Sequence, residues 1–246
     1  MSASFTSFTP SISEVDMPLN SECVNISPEQ LLGRPLNEIE EKYAPKVLYV
    51  ATNRGIPIPK PRTAIIGSRK ASEEGRKVAA EISGHLAKKG VVIVSGLAEG
   101  IDTAAHMAAI GVGGRTVAVL GTSLNKYYPA KNARLQATIM HDHWLVSEFP
   151  EGSPTTPKSF VIRNRTMALI SDASIIIEAG ETSGSLHQGW ETLRLGRPLF
   201  LWTTIVRNPS LEWPRKMIQY GAIELKDVEQ ILDVLPSSER ILKVLS

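Results

Sequence analysis

A single cysteine, Cys23, stands in 246 residues. One thiol can form neither an internal disulfide nor a Cys-rich zinc site, so a reducing, cytoplasmic setting is expected. No run of about 18 apolar residues occurs, so no membrane-spanning helix and no membrane partner are expected. Met1–Asn20 lacks the basic start and apolar stretch of a secretory signal. The chain has no Gly-x4-Gly-Lys-Ser/Thr and hence no P-loop, and no Gly-x-Ser-x-Gly nucleophile elbow. Gly111-Val-Gly-Gly precedes a strand-like run rather than following one, the wrong context for a dinucleotide fingerprint. His141 and His143 lie two apart, a spacing that no helix brings to one face, so a solvated loop is expected there and no metal site. Nothing in these patterns calls for a cofactor.

What is present is ordinary globular material: 42% hydrophobic and 21% charged residues, enough for a buried core. The net charge of +2 hides an asymmetry. Residues 1–45 carry seven acids and two bases, a balance of −5, which leaves +7 on the remainder. A basic body permits polyanion binding without requiring it.

Residues 1–44 read as a flexible acidic arm with one short helix, capped by Ser27 with Pro28 at its first position and running to Leu32. Residues 45–235 read as one domain, and residues 236–246 as a short tail. Pro45–Val50 looks like an edge strand, and Ile56-Pro-Ile-Pro-Lys-Pro61 excludes a central strand there. Short apolar runs then alternate with helical spacing. Strands are predicted at Thr63–Gly67, Val91–Ser95, Thr116–Leu120, Trp144–Ser147, Ala173–Ile177 and Pro198–Trp202. Helices are predicted from Ser72 to Lys89, Asp102 to Ile110 and Asp227 to Leu235, among others. Nearly all-apolar strands separated by helices mean a mostly parallel, doubly wound α/β sheet of the extended Rossmann-like kind, with helices on both faces.

In such a sheet ligands bind beyond the carboxyl ends of the strands. The first strand leads into Gly67-Ser68-Arg69-Lys70 and the second into Ser95-Gly96-Leu97-Ala98-Glu99-Gly100. The third leads into Gly121 and on to Lys126-Tyr127-Tyr128-Pro129, Lys131 and Asn132; the fifth leads to Ser183-Gly184-Ser185. Glycines admit a ligand close to the backbone, and free N–H groups at helix N-termini favour phosphate. Arg163, Asn164 and Arg165 add cations near a further junction, with pairing to Glu148 or Glu178 as the competing reading of the two arginines. Basic groups with interleaved tyrosines suit single-stranded nucleic acid, and Tyr127 is the better stacking candidate. Tyr128 is equally readable as core. Asp102 reads as a helix cap or a ligand contact, and His106 as a packed histidine rather than a catalyst.

In order along the chain, Gly67-Ser68-Arg69-x-x-Ser72, Ser95-Gly96-x-Ala98-x-Gly100-Ile101-Asp102-x-x-Ala105-His106 and Gly121-x-x-Leu124-x-x-x-Tyr128-Pro129-x-x-Asn132 are followed by Ser147-Glu148-x-Pro150, Phe160-x-x-Arg163-Asn164-Arg165, Glu178-Ala179 and Ser183-Gly184-Ser185-Leu186. This series resembles the DNA-processing protein A (DprA/Smf) family across roughly residues 45–222. The resemblance implies a Rossmann-like domain that binds single-stranded DNA, usually as a homodimer, protects it during natural transformation and delivers it to a RecA-type recombinase. It maps Gly67, Ser68, Arg69 and the Lys126 loop to the DNA-binding pocket. Ser123, His187-Gln188-Gly189-Trp190 and Trp202-Thr203-Thr204 depart from the family pattern, and the tail implies no C-terminal winged helix. A binding module is the first expectation; a nucleotide sensor or an N-glycosidic-bond hydrolase using Glu178, Glu181, Asp102 and His106 is the second.

Overall fold

The computed structural model describes residues 22–236. In chain order it has β1 (Glu22–Ile26), α1 (Pro28–Leu32), α2 (Glu38–Glu41), β2 (Leu48–Thr52), β3 (Arg62–Gly67), α3 (Glu73–Lys88) and β4 (Val92–Ser95). Then come α4 (Ile101–Gly111), β5 (Thr116–Leu120), α5 (Ala133–Asp142), β6 (Trp144–Ser147), α6 (Pro157–Ile170) and β7 (Ala173–Glu178). The described residues close with α7 (Ser185–Arg194), β8 (Leu199–Trp202), α8 (Thr203–Val206), α9 (Trp213–Gln219), β9 (Ile223–Leu225) and α10 (Glu229–Val234).

All strands join one sheet in the order β1-β2-β6-β5-β4-β3-β7-β8-β9. From β6 through β9 every neighbouring pair is parallel; β1 with β2 and β2 with β6 are antiparallel. The period-two alternation of strand side chains sorts the core onto two faces. Ala64 and Ile66 pack with Val94, Val119, Met167 and Ile170 under α6 and α7. Ile65 packs with Ile93, Ile175, Val78, Ile82 and Leu86 under α3 and α4. Ala118, Leu120 and Leu145 continue that second face beneath Ile139 of α5. The chain moves outward from β3 in one direction up to β6 and then resumes on the other side of β3 at β7. The direction of winding therefore reverses between β3 and β7, the switch point at which such sheets open a crevice.

Two expectations are corrected at the sheet's ends. Glu22–Ile26, assigned to the flexible arm, is a strand: Val24 and Ile26 are half-buried and packed on the core, while Cys23 and Asn25 are exposed. Its pairing converts β2 from the expected edge strand into an interior one, with β1 on one side and β6 on the other. At the opposite edge, β9 was not foreseen, since three residues are too few for a period to show. Residues 1–21 of the arm and 237–246 of the tail lie outside the described residues. His143 is buried rather than set in a solvated loop, because α5 runs to Asp142 and delivers it directly into β6. Among the described residues no helix is long and apolar enough to cross a membrane.

A network of charges fastens the N-terminal segment to the sheet. Glu40 of α2, 3% exposed, accepts two bonds of 2.7 Å from Arg34 and one of 2.5 Å from Arg197. Arg197 also donates to the carbonyls of Ala168, Leu169 and Ser171 at the end of α6, satisfying groups that helix geometry leaves unpaired.

Candidate functional site

The switch point opens into a cleft of about 1000 Å³ beyond β3 and β7. The β3–β7 ladder slips between Ile66 and Gly67, so that Gly67 faces Glu178, and Ser68 donates its N–H to the Glu178 carbonyl at 2.7 Å. This fixes where the Ser68–Ala71 turn leaves the sheet. The turn projects Arg69 and Lys70, both exposed, along the rim.

Three helix N-termini converge here, and they are not equivalent. At α3 the slot is filled from within: the Glu178 carboxylate accepts from the Ser72 N–H at 3.1 Å and from its hydroxyl at 2.5 Å. At α4, Asp102 turns back to accept from the N–H groups of Gly96 at 3.1 Å and Ala98 at 3.3 Å. An internal carboxylate at each position occupies the donors that phosphate would use. The start of α7 carries hydroxyls instead. Ser183 bonds Ser185 at 3.2 Å, Ser185 donates to the Gly67 carbonyl at 2.9 Å, and Asn164 donates to the Gly184 carbonyl at 3.0 Å. Those bonds pin α7 to the end of β3 while leaving Gly184 exposed at the cleft.

The opposite wall is cationic and aromatic. The Arg69 guanidinium lies 5.1 Å from the centroid of the Phe160 ring, and the Tyr128 ring lies 5.4 Å from Phe160 at a 40° tilt. Tyr128 is 42% exposed, so a ring face is open to a partner. Lys126 reaches Thr155 at 2.9 Å beside them. A smaller recess of about 240 Å³ lies against the same three side chains and is lined also by Gly96, Gly121 and Arg163.

Arg163 enters from α6 and is buried. It stands 3.9 Å from Asp102 and 3.3 Å from the Val119 carbonyl. Burial is the largest influence on both partners, pushing the Asp102 carboxyl up and the Arg163 guanidinium down; each partner's charge opposes this. The glycines around them make room for side chains. A Cβ on Gly96 would sit 1.4 Å from Arg163 Nη1, and one on Gly121 would sit 2.7 Å from the Phe160 ring.

Of the residues singled out from sequence, the cleft brings together Gly67, Ser68, Arg69, Lys70, Lys126, Arg163, Asn164, Ser183, Gly184 and Ser185. Six others line neither it nor, unlike Gly96 and Gly121, the recess. Ser95 is buried and donates to the Ile65 carbonyl at 2.6 Å. Gly100 packs against the Ser68 carbonyl with a φ of 81°. Asn132 is an internal strut to Leu97 and Thr103. Lys131 pairs on the surface with Glu99, and Arg165 pairs with Glu191 at 3.4 Å rather than with Glu148 or Glu178. Tyr127 is half-buried, and burial raises its hydroxyl pKa; the tyrosine that faces the cleft is Tyr128. Phe160 and Gln188 line the cleft as well, and neither was singled out as a binding residue. For Phe160 a signal existed: it precedes Arg163 by three residues, which puts both on one helix face.

The acid–base candidates are engaged elsewhere. His106 is fully buried, with Nδ1 2.7 Å from Thr116 Oγ1. Glu178 and Asp102 hold turns, and Glu181 accepts the Glu212 N–H at 2.5 Å. Among the described residues no cluster of His, Cys, Asp and Glu is arranged to hold a metal ion.

A doubly wound, mostly parallel sheet with helices on both faces, its switch point opening onto a cationic, aromatic-walled cleft, defines a Rossmann-like α/β domain. The chain belongs to the DNA recombination-mediator protein A family, whose family model matches residues 28–236. It is 40% identical over 173 residues to Protein Smf of Escherichia coli (strain K12), covering 70% of this chain and 46% of that protein. It is 38% identical over 187 residues to DNA processing protein DprA of Streptococcus pneumoniae, covering 76% and 65%. The chain thus spans about half to two thirds of the length of these relatives. The solved structure of DprA from S. pneumoniae superposes with a TM-score of 0.76 at 33% identity, over 88% of this chain and 75% of that one. DNA processing protein A from Helicobacter pylori, solved to examine its single-stranded DNA binding mode, matches in fold with a TM-score of 0.72 at 24% identity, over 87% and 94%.

Proposed function

We propose that the cleft binds single-stranded DNA with little sequence preference and that the domain is a binding module rather than an enzyme. The observation that carries this reading is the Arg69–Phe160–Tyr128 wall, with Lys70 and Lys126 on its rim. Aromatic faces stack any base, and cations follow the phosphates. The α7 N-terminus, without an internal carboxylate, is the natural seat for a phosphate. Gly67, Ser68, Arg69, Lys70, Lys126, Tyr128, Phe160, Ser183, Gly184 and Ser185 form the contact surface in this reading. Commitment of Glu178, Asp102, Glu181 and His106 to internal bonds favours it over N-glycosidic hydrolysis. The same proposal places the domain in the cytoplasm, working as a homodimer that hands its strand to a RecA-type recombinase, as family membership suggests.

Fluorescence anisotropy with a labelled dT oligonucleotide of about 20 nucleotides tests the reading. Binding is expected at about 50 mM salt and should weaken steeply by about 200 mM. Tyr128→Ala removes a stacking face and should cost roughly tenfold in affinity. Lys126→Ala should weaken binding and flatten the log–log salt slope by about 0.7 for the lost phosphate contact. Absence of binding by the unaltered protein at the lower salt refutes the proposal.

A further inference from the structure

Gln188 sits in the second turn of α7, 1% exposed, and lines the cleft with Ile66, Asn164 and Met167. Among the described residues neither its side-chain Nε2 nor its Oε1 has a hydrogen-bond partner. A buried primary amide with both ends unmet is costly, since burial strips its water and nothing replaces it. The helix backbone that carries it is closely packed: a Cβ on the next residue, Gly189, would come within 3.0 Å of Met217 and Ile176.

The chemistry of the missing partner follows from the amide. It offers a donor and an acceptor side by side, so its complement must offer an acceptor and a donor side by side. A phosphate group only accepts and leaves Oε1 unmet. The Watson–Crick edge of every nucleobase supplies both groups, in one order or the other, and a flipped amide meets either order. We propose that Gln188 pairs through its side-chain amide with the Watson–Crick edge of one base seated in the cleft, and thereby selects strands whose bases are unpaired. This rests on the single-stranded DNA reading above and names a group that, beside the stacking faces, distinguishes a single strand from a duplex. In a duplex those edges are already committed to each other.

The test compares a labelled dT oligonucleotide of about 20 nucleotides with the same oligonucleotide methylated at N3 of every thymine. The methyl group removes the donor that Oε1 accepts and leaves the phosphates and ring faces in place. The unaltered protein should bind the methylated strand about tenfold more weakly, the usual size of a lost bidentate base contact. Gln188→Leu should bind the two strands equally, at the weaker level. Gln188→Met, longer and equally apolar, serves as the second variant if melting shows the first to be unfolded. Equal binding of both strands by the unaltered protein overturns the assignment, as does a tenfold gap that survives in either folded variant. If the unaltered protein binds neither strand, the single-stranded DNA reading falls first and this inference with it.

Discussion

Between about pH 7 and pH 4.5 the fold is expected to lose stability through two imidazoles. His106 is held neutral by burial first, and then by His143 and Arg163, with its pKa lowered to about 3. His143 is lowered to about 4 by burial and by Arg54, against Asp142. The geometry around His106 gives the reason. The Thr116 hydroxyl donates to the Ile93 carbonyl at 2.7 Å, so it accepts from Nδ1–H and leaves Nε2 a bare, buried lone pair with no acceptor nearby for a second proton. In the unfolded chain both rings titrate near 6.5. Below that pH the unfolded chain takes up protons that the folded one refuses, so acid favours unfolding. By pH 4.5 the two rings together cost about 5 kcal/mol. Glu148 works in the opposite sense: burial raises it to about 7, against the pull of Arg165, so it gains a proton more readily when folded and returns roughly half of that loss. Asp102, also raised by burial, acts with Glu148. Stability curves for the unaltered protein and His106→Gln, measured across this range, isolate one ring. The variant's curve should be flatter by about 3 kcal/mol. Parallel curves would show that His106 is not kept neutral by the fold.

Glu40→Ala is expected to cost about 3–5 kcal/mol, the usual result of removing one member of a buried charge group and stranding the others. For a domain of this size that lowers the melting temperature by roughly 10 °C. Burial alone would raise the Glu40 carboxyl. Hydrogen bonds from Arg34, the Asn37 N–H and Arg197 outweigh it and hold the group at about 2. Its contribution is therefore present above the ordinary carboxylate range and fades as pH falls toward 2. Its loss strips Arg197 of its hydrogen-bonded carboxylate, leaving the carbonyls and the more distant charge of Asp172, and unfastens α1 and α2 from the end of α6. Arg34→Ala, whose side chain is 28% exposed, should cost clearly less. Thermal melts of the two variants check the ranking; equal, small effects would mean that the N-terminal segment is not held by this network.

The interior of the sheet was legible because its strands are unbroken apolar runs, from Ile65 and Ile66 to Leu199–Leu201, separated by capped helices. Its edges were not. In Glu22–Ile26 the two apolar residues Val24 and Ile26 pack on the core, a signal too short to separate from an irregular arm, and pairing with β2 gives it meaning. At the cleft, glycine and hydroxyl residues correctly marked the strand ends, but sequence could not tell which helix N-termini already held a carboxylate. Glu178 carries no sign in the sequence of its bond to Ser72, and Asp102, readable as a cap, gives none of its turn back to Gly96 and Ala98. The choice between Tyr127 and Tyr128 turned on which neighbour met Phe160, a contact across 32 residues. Gln188 was visible only as a departure from small residues; its unmet amide is a property of the packed helix.

On the proposed function a single strand of DNA lies in the switch-point cleft. A crystal structure of the protein with a short dT oligonucleotide tests it most directly. A base stacked on Tyr128 or Phe160 and a phosphate at Ser183–Ser185, with Arg69 and Lys126 along the backbone, is the expected result. An oligonucleotide bound elsewhere on the molecule, with this cleft open, would contradict it.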